Sequence, residues 1–235
     1  MSDAGRRNGN GVQAIIFDFD GVIANSEPLH LRAYQQTLGD MGLYFGRDEY
    51  YSRYLGFDDV GVFETLSRDR ALGWTDAQVN DLIVAKGAKL QELVHAGEVL
   101  FPGAAEFIRA SAAAVPIAIA SGAQRHEINE IVQGAGLAAL FAAIVASGDT
   151  PESKPSPAPY RLAFERLRDT SGLPLDPARC VAIEDSRWGL ESAHGAGLRC
   201  VAVTTTYTAN ELEAAELVVS GLDALTLEML DELVA

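Results

Sequence analysis

Two aspartates, Asp18 and Asp20, stand one residue apart at the end of a short apolar run, in the segment Q-A-I-I-F-D-F-D-G-V that spans Gln13 to Val22. Side chains alternate faces along a strand, so both carboxylates leave the strand end on the same side. Like charges held this close are unfavourable unless a cation or a shared proton relieves them. The pair therefore indicates a hard metal ion bound by oxygen ligands. An acidic strand-to-loop turn is the alternative.

Polar residues also follow three later apolar runs. Ser121 and Gly122 end the second run, Lys154 lies in the proline-rich loop after the third, and Glu184 and Asp185 end the fourth. Taken singly, these residues are a turn, an exposed loop lysine and a helix-capping acid pair. Taken together, they are groups suited to phosphate and magnesium at four strand ends. Ligands of open parallel sheets bind beyond the carboxyl ends of the strands.

The elements that would position these residues change character along the chain. Strand and helix signals alternate from about Phe101 onward, which predicts an α/β fold with a doubly wound, Rossmann-like parallel sheet. Between the first strand and this alternation, helical periodicity dominates. We therefore expect a disordered tail at 1–12, a core domain made of 13–27 and 98–235, and an inserted all-helical domain at 28–97.

Charge and composition narrow the classes of partner. The chain has 235 residues and a formal net charge of −15, with lysine and arginine scattered along it. Nucleic acid and anionic membranes are disfavoured as partners. Its start lacks the apolar segment of a signal peptide, so we expect a cytoplasmic protein. Cys180 and Cys200 fall in predicted buried strands, where inert core packing is expected in preference to a disulfide or a metal site.

Four segments resemble the motifs of the haloacid dehalogenase superfamily. They are D-F-D-G-V at Asp18 to Val22, A-S-G ending at Gly122, S-K-P-S-P around Lys154, and I-E-D-S at Ile183 to Ser186. The helical insertion after the first motif stands where this superfamily has its type 1 cap. The segments look most similar to the phosphatase and β-phosphoglucomutase branch. The resemblance covers nearly all of the chain from Gln13 onward.

This resemblance implies a chemistry. Asp18 would be the nucleophile that forms an aspartyl-phosphate, and Asp20 the general acid and base. A Mg²⁺ cofactor would be held by Asp18, Asp20, Asp185 and also Glu184. The remaining phosphoryl oxygens would be held by Ser121, the Gly122 backbone N–H and Lys154.

Four further residues are candidates to contact the substrate: His30, Gly56, Lys86 and Arg125. For His30, a place near the general acid and an ordinary surface or core histidine are equally compatible with the sequence. Lys86 falls within a long predicted helix, where a solvated lysine is the simplest expectation.

The branch of the superfamily decides the reaction. Mutases that resemble this chain carry a cap arginine a few residues after an L-x-G element, and here that stretch has Asp58 and Asp59. This departure favours a phosphatase acting on a small phosphomonoester, of the sugar phosphate or phosphoglycolate type. A β-phosphoglucomutase-like isomerase and a non-catalytic phosphometabolite-binding protein are the alternatives. The expected partner is a small phosphorylated metabolite, and the expected assembly is a monomer or a small homo-oligomer.

Overall fold

The computed structural model describes residues 11–55, 57–96 and 99–235. The chain divides into two compact units, one made of residues up to 25 together with 100–235, and the other of Ser26–Val99. The sequence predicted an insertion at 28–97. No helix in the described ranges is long and apolar enough to cross a membrane.

The first unit is built on one parallel sheet. In the described part of the chain, the sheet has six strands in the order β3-β2-β1-β4-β5-β6. Chain order reverses direction between β1 and β4, as in a doubly wound sheet. The predicted α/β class is therefore confirmed, and the strands are β1 (Ala14–Phe17), β2 (Ile117–Ala120), β3 (Phe141–Val145), β4 (Cys180–Glu184), β5 (Arg199–Val203) and β6 (Leu217–Val219).

Helices cover both faces of this sheet. Ile16 packs with the helices that carry Tyr160 and Leu190, whereas Phe17, on the opposite face, makes an edge-on ring contact with Phe107 at 6.2 Å. Alternation along β1 thus gives each face its own apolar layer. The helices of this unit are α5 (Ala104–Ala114), α6 (Arg125–Gly134), α7 (Ala158–Ser171), α8 (Arg187–Gly195) and α9 (Leu227–Leu233).

The second unit is helical in its described residues. It contains α1 (Glu27–Gly39), α2 (Arg47–Arg53), α3 (Asp59–Asp69) and α4 (Asp76–Ala96). Its core is aromatic, with Tyr34 ringed by Phe45, Tyr50 and Phe63 at centroid distances of 5.4 to 5.9 Å. A capping box precedes α4: the Thr75 N–H donates to Gln78 Oε1 at 2.9 Å, and the Gln78 N–H donates to Thr75 Oγ1 at 3.3 Å.

Val12, at the end of the segment 1–12 that was expected to be a tail, is packed against the core unit. Val12 is buried, and its N–H donates to Asp231 Oδ1 at 2.9 Å. Val12 is buried like the apolar residues of β1 that follow Gln13. Burial of its side chain therefore holds in place a residue that the sequence predicted to be part of a tail. The rest of that segment, 1–10, lies outside the described residues.

The first turn of α8 approaches the end of β4 closely. A Cβ at Gly189 would lie 1.8 Å from Glu184 Oε1. The helix can begin here because Ser186 caps it, its Oγ accepting from the Gly189 N–H at 3.1 Å. Only a residue without a side chain allows this spacing between helix and strand.

We predict that Gly189→Ala lowers the free energy of unfolding by about 1–3 kcal/mol or more, since the methyl group overpacks a buried carboxylate. Gly134→Ala is the matched control, because a Cβ at this helical, exposed glycine meets nothing within 4 Å. The control should be neutral or slightly stabilising. Urea unfolding of the two variants measures the difference, and equal stabilities would contradict the close packing of α8 on β4.

Candidate active site

The predicted residues meet at the carboxyl end of the central strands. Strand β1 pairs with β2 on one side and β4 on the other, with Phe17 in register with Ile119 and Ile183. Asp18 follows directly and donates its N–H to the Ile183 carbonyl at 2.9 Å. The residues that follow the three strands therefore lie side by side at the switch point of the sheet.

Lys154 joins two of these strand ends. Its Nζ lies 2.6 Å from Asp18 Oδ1 and 2.6 Å from Glu184 Oε1. It reaches them from the loop after β3 and lies over the Tyr160 ring, 4.8 Å from the centroid. The structure thus brings together three of the predicted residues around one buried ammonium group.

Glu184 is fully buried, and both of its carboxylate oxygens are engaged. Oε1 accepts from Lys154 and from the Tyr160 hydroxyl at 2.9 Å. Oε2 accepts from the Asp185 N–H at 3.1 Å, from the Ser186 N–H at 3.2 Å and from the Ser186 hydroxyl at 3.0 Å. These five hydrogen bonds use the lone pairs of the carboxylate. These contacts hold the Glu184 side chain in one position, from which it fixes Lys154.

Asp185 completes the group from the end of β4. Its carboxylate is hydrogen-bonded by Thr206, and a Cβ at Gly21 would lie 1.9 Å from its Oδ2. Gly21 has φ +80°, a left-handed conformation that glycine adopts without strain. The turn that carries Asp20 can therefore approach Asp185 by its backbone.

Burial and crowding set the electrostatics of the site. Burial, with Glu184 and Asp185 nearby, raises the pKa of Asp18 well above its ordinary value, although Lys154 opposes the shift. Burial also raises the pKa of Asp185, to about 6. Burial alone would lower the pKa of Lys154, but the carboxylates of Asp18 and Glu184 outweigh it and raise that pKa.

The donor set fits a divalent cation. Oxygens of Asp18, Glu184 and Asp185 lie within 4.8 Å of one another. When ionised they carry three negative charges against the single positive charge of Lys154, an excess of two. A divalent cation with oxygen ligands relieves that excess. Asp20, half-buried, stands in the adjoining turn, where its backbone forms a bridge to Ala24.

Ser121 and Gly122 lie after β2 at the same edge of the sheet. The Ser121 N–H donates to the Val145 carbonyl at 2.9 Å, and its buried Oγ accepts from the Ala123 N–H at 3.0 Å. The hydroxyl proton of Ser121 is then the group it can donate. A Cβ at Gly122 would meet nothing within 4 Å, so its exposed backbone has open space beside it.

The contacts of Arg125 differ from those of the residues above. Its guanidinium pairs with Asp149 and donates to the Ile144 carbonyl at 3.2 Å. Arg166 binds the same Asp149 at 2.8 Å. These contacts tie α6 and α7 to the end of β3, and a phosphate contact by Arg125 stays a prediction.

In the helical unit, the structure overturns the expectation of a solvated Lys86. The lysine side chain is 1% exposed and forms an ion pair with Asp59 at 2.8 Å. Its Nζ also lies 2.9 Å from His30 Nδ1, and the Tyr34 hydroxyl donates to Asp59. The partners of Lys86 lie 27 and 56 residues away in sequence, so helical spacing alone could not reveal them. Gly56 lies outside the described residues.

Sequence reasoning missed the residues that support the site. Tyr160 resembles an ordinary core aromatic of α7, and only its contact with Glu184 shows a polar role. Gly21 falls within the segment Q-A-I-I-F-D-F-D-G-V, but its close approach to Asp185 depends on the fold. Asp59 was interpreted only as the absence of an arginine.

Comparison with known proteins agrees with this geometry. The family described as haloacid dehalogenase-like hydrolase matches residues 12–197. Protein CbbY of Rhodobacter capsulatus is 34% identical over 233 residues, covering 94% of this chain and 99% of that protein. A crystal structure of a CbbY variant from Rhodobacter sphaeroides in complex with xylulose-1,5-bisphosphate has a TM-score of 0.70 and 30% identity, covering 90% and 95% of the two chains. Phosphoglycolate phosphatase of Yersinia pseudotuberculosis is 27% identical over 85% of this chain and 84% of its own.

Lys86 and Lys89 offer a matched pair on α4. We predict that Lys86→Ala destabilises the helical unit by about 3 kcal/mol, because Asp59 loses its buried partner. Lys89→Ala should change stability by less than about 0.5 kcal/mol, since its partner Asp40 is 70% exposed. Trp74 and Trp188 are the two tryptophans of the chain. Trp74 fluorescence in a Trp188→Phe background reports on unfolding of the helical unit. Equal losses of stability in Lys86→Ala and Lys89→Ala would contradict a stabilising ion pair between Lys86 and Asp59.

His30 gives this unit a pH dependence. Burial and then Lys86 lower the pKa of His30 from 6.5 to about 4. The unfolded chain binds the proton first, so stability is complete above about pH 6.5 and falls as the pH drops toward 4, by about 3 kcal/mol. His30→Gln should remove this part of the acid sensitivity. Urea unfolding from pH 7 to pH 4, followed through Trp74, tests it, and an unchanged pH profile in His30→Gln would refute it.

Proposed function

Because the chain belongs to the haloacid dehalogenase-like hydrolase family, in its phosphatase branch, we propose that it hydrolyses a small phosphomonoester through an aspartyl-phosphate formed on Asp18. The observation that carries this proposal is the contact of the Lys154 ammonium with both Asp18 and Glu184 at 2.6 Å. A loop lysine that is only 14% exposed and lies between two carboxylates supports a role for its charge there.

Asp18 is suited to act as the nucleophile. Its carboxylate oxygen attacks the phosphorus atom, a new P–O bond forms, and the bond from phosphorus to the leaving alcohol breaks. Lys154 favours the ionised form of Asp18 against the effect of burial. Because Glu184 fixes Lys154, the carboxylate and the ammonium group are held in place before the substrate arrives.

Asp20 supplies the proton transfers in this proposal. Its carboxyl group gives a proton to the departing alkoxide in the first step. In the second step it takes a proton from the water that attacks phosphorus, and the bond between phosphorus and Asp18 breaks to release inorganic phosphate. Asp20 lies two residues after Asp18, in the turn that contains Gly21. The two carboxylates therefore occupy different positions, and the proposal gives them separate roles.

In this proposal, three groups hold the phosphoryl oxygens. They are the Lys154 ammonium, the Ser121 hydroxyl and the Gly122 backbone N–H, which come from the ends of β3 and β2. Preorganised donors of this kind stabilise negative charge that develops in the transition state. Arg125 stays outside this set in the proposal because its charge is already used by Asp149.

Asp18 and Asp185 would hold the magnesium ion directly, with Asp20 giving its backbone carbonyl and Glu184 acting mainly through Lys154. When bound, Mg²⁺ neutralises charge on the phosphoryl group and orients it. The excess of two negative charges among Asp18, Glu184, Asp185 and Lys154 supports a divalent ion at this place.

A sugar phosphate is the proposed substrate class. The supporting relative is CbbY, which has been crystallised with xylulose-1,5-bisphosphate. Asp58 and Asp59 have structural partners inside the helical unit: Asp58 accepts from the Gly61 N–H at 2.8 Å, and Asp59 pairs with Lys86. Neither aspartate offers positive charge for a second phosphate, which supports a monoester hydrolase over a mutase.

Phosphorus NMR with magnesium tests the function. Incubation with sugar monophosphates, xylulose-1,5-bisphosphate and phosphoglycolate should give inorganic phosphate from at least one of them. Asp18→Asn should abolish turnover, and Asp20→Asn should lower it by about 100-fold or more. Asp169→Asn is the control, because this aspartate is 72% exposed and pairs with its neighbour Arg168. Its activity should match the unmodified chain.

Other outcomes are equally defined. Glucose 6-phosphate formed from β-glucose 1-phosphate, with a trace of the 1,6-bisphosphate and without free phosphate, would establish a mutase. Turnover that survives Asp18→Asn would refute the nucleophile. Removal of divalent ions with EDTA should stop phosphate release, and restored Mg²⁺ should recover it.

A further inference from the structure

A second group of potential metal ligands lies at the opposite end of the sheet. His194 stands in the last turn of α8, Cys200 is the second residue of β5, and Glu216 immediately precedes β6. One ligand atom from each side chain lies within 4.8 Å of the others. Because the strands are parallel, this group lies at their amino ends, whereas Asp18 lies at the carboxyl end.

The distances within the group approach those of a metal site. His194 Nε2 and Glu216 Oε2 are 3.1 Å apart. Ligand atoms of a tetrahedral zinc ion bound by nitrogen, oxygen and sulfur stand roughly 3.3–3.6 Å apart, given the usual bond lengths. The imidazole nitrogen and the carboxylate oxygen are at hydrogen-bond distance and would move apart by a few tenths of an ångström to bind an ion. The Cys200 sulfur lies within 4.8 Å of both atoms, so it would approach by at most about 1.5 Å.

The backbone and a neighbouring cation hold the ligands in place. Glu216 and Cys200 are paired twice, because the Glu216 N–H donates to the Cys200 carbonyl at 3.1 Å and the Cys200 N–H donates to Glu216 Oε2 at 2.8 Å. Arg199 lies 3.4 Å from Glu216 Oε1, the other oxygen. Outer contacts of this kind orient metal ligands and contribute to affinity.

The site also has a route from solvent. A cavity of about 600 Å³ opens beside α8 and is lined by His194 together with Glu191, Glu211 and Glu213. Three carboxylates on its wall outweigh the single positive charge of Arg187, so the cavity attracts cations. Cys200 is fully buried and does not line the cavity, and its thiol lies 3.9 Å from the Leu190 carbonyl. An ion entering from this cavity would therefore meet the His194 imidazole before the sulfur.

We propose that His194, Cys200 and Glu216 bind a thiophilic divalent cation of the zinc type, separate from the carboxylate site and outside the hydrolytic reaction. Binding forms a metal–sulfur bond and releases the Cys200 thiol proton to solvent. Thiolate and imidazole favour zinc and cobalt over magnesium, which prefers oxygen. Three protein ligands leave the fourth position to water. The ion would tie α8 to β5 and to the segment before β6.

Cobalt gives a direct readout, because a thiolate ligand produces a charge-transfer absorption band in the near ultraviolet. The full chain is stripped with EDTA, supplied with excess Mg²⁺ to occupy oxygen-only sites, and titrated with Co²⁺. We expect a saturable band that Zn²⁺ removes. Cys200→Ser should lose the band, and Cys180→Ser, the control at the other buried cysteine, should retain it.

A surface variant keeps the test valid if Cys200→Ser does not fold. His194→Gln should weaken Co²⁺ binding by at least about tenfold, the effect of losing even an outer-shell partner. His126→Gln, at an exposed position of α6, should leave the affinity for Co²⁺ unchanged. Absence of the band in the unmodified chain, or its persistence in Cys200→Ser, would overturn the proposal. Equal affinities of His194→Gln and His126→Gln would also overturn it and leave His194 and Glu216 as a simple ion pair.

Discussion

The arrangement of the site depends on one buried ammonium group. Asp18 and Glu184 end or follow neighbouring strands of a parallel sheet, so the fold itself forces two carboxylates together. Lys154 relieves this repulsion by touching both at 2.6 Å. This contact places three demands on neighbouring elements. The loop after β3 must bring Lys154 to the strand ends, Tyr160 of α7 must hydrogen-bond to Glu184, and Gly189 must leave room for α8 to begin next to Glu184. Chemistry and packing at this edge therefore share the same contacts.

A chain with a net charge of −15 must create positive potential locally. It does so in both units by burying a lysine among acids and a tyrosine. Lys154 has Asp18, Glu184 and Tyr160, whereas Lys86 has Asp59 and Tyr34 with His30 beside it. A buried charge needs such partners because desolvation would otherwise neutralise it. The partners of Lys86 all belong to the helical unit, whereas Lys154 contacts the residue proposed as the nucleophile.

The strand ends were predictable from sequence because an apolar run that stops at a polar residue marks its own boundary. Asp18, Ser121 and Asp185 could therefore be placed at one edge of the sheet from strand order alone. Residues whose contacts cross between elements were not predictable. Lys86 was expected in solvent, yet its partners lie on α1 and α3. Likewise the position of Glu184 predicted a metal ligand, but its hydrogen bonds with Lys154 and Tyr160 form only when the loop after β3 and α7 pack against β4.

The two ends of the sheet offer different ligand atoms, and this difference would separate the two proposed cations. At the carboxyl end the ligands are oxygens from turns, next to an ammonium group, which suits a hard ion that keeps water and accepts phosphate. At the amino end of β5 they are sulfur, nitrogen and one carboxylate, which suits an ion that prefers soft donors. Cys200 lies within a strand and is paired with Glu216 through the backbone, so its site is fixed by the sheet itself. Because the softness of the ligand atoms, rather than charge, distinguishes the two proposed sites, both ions could be bound at once without selection by geometry.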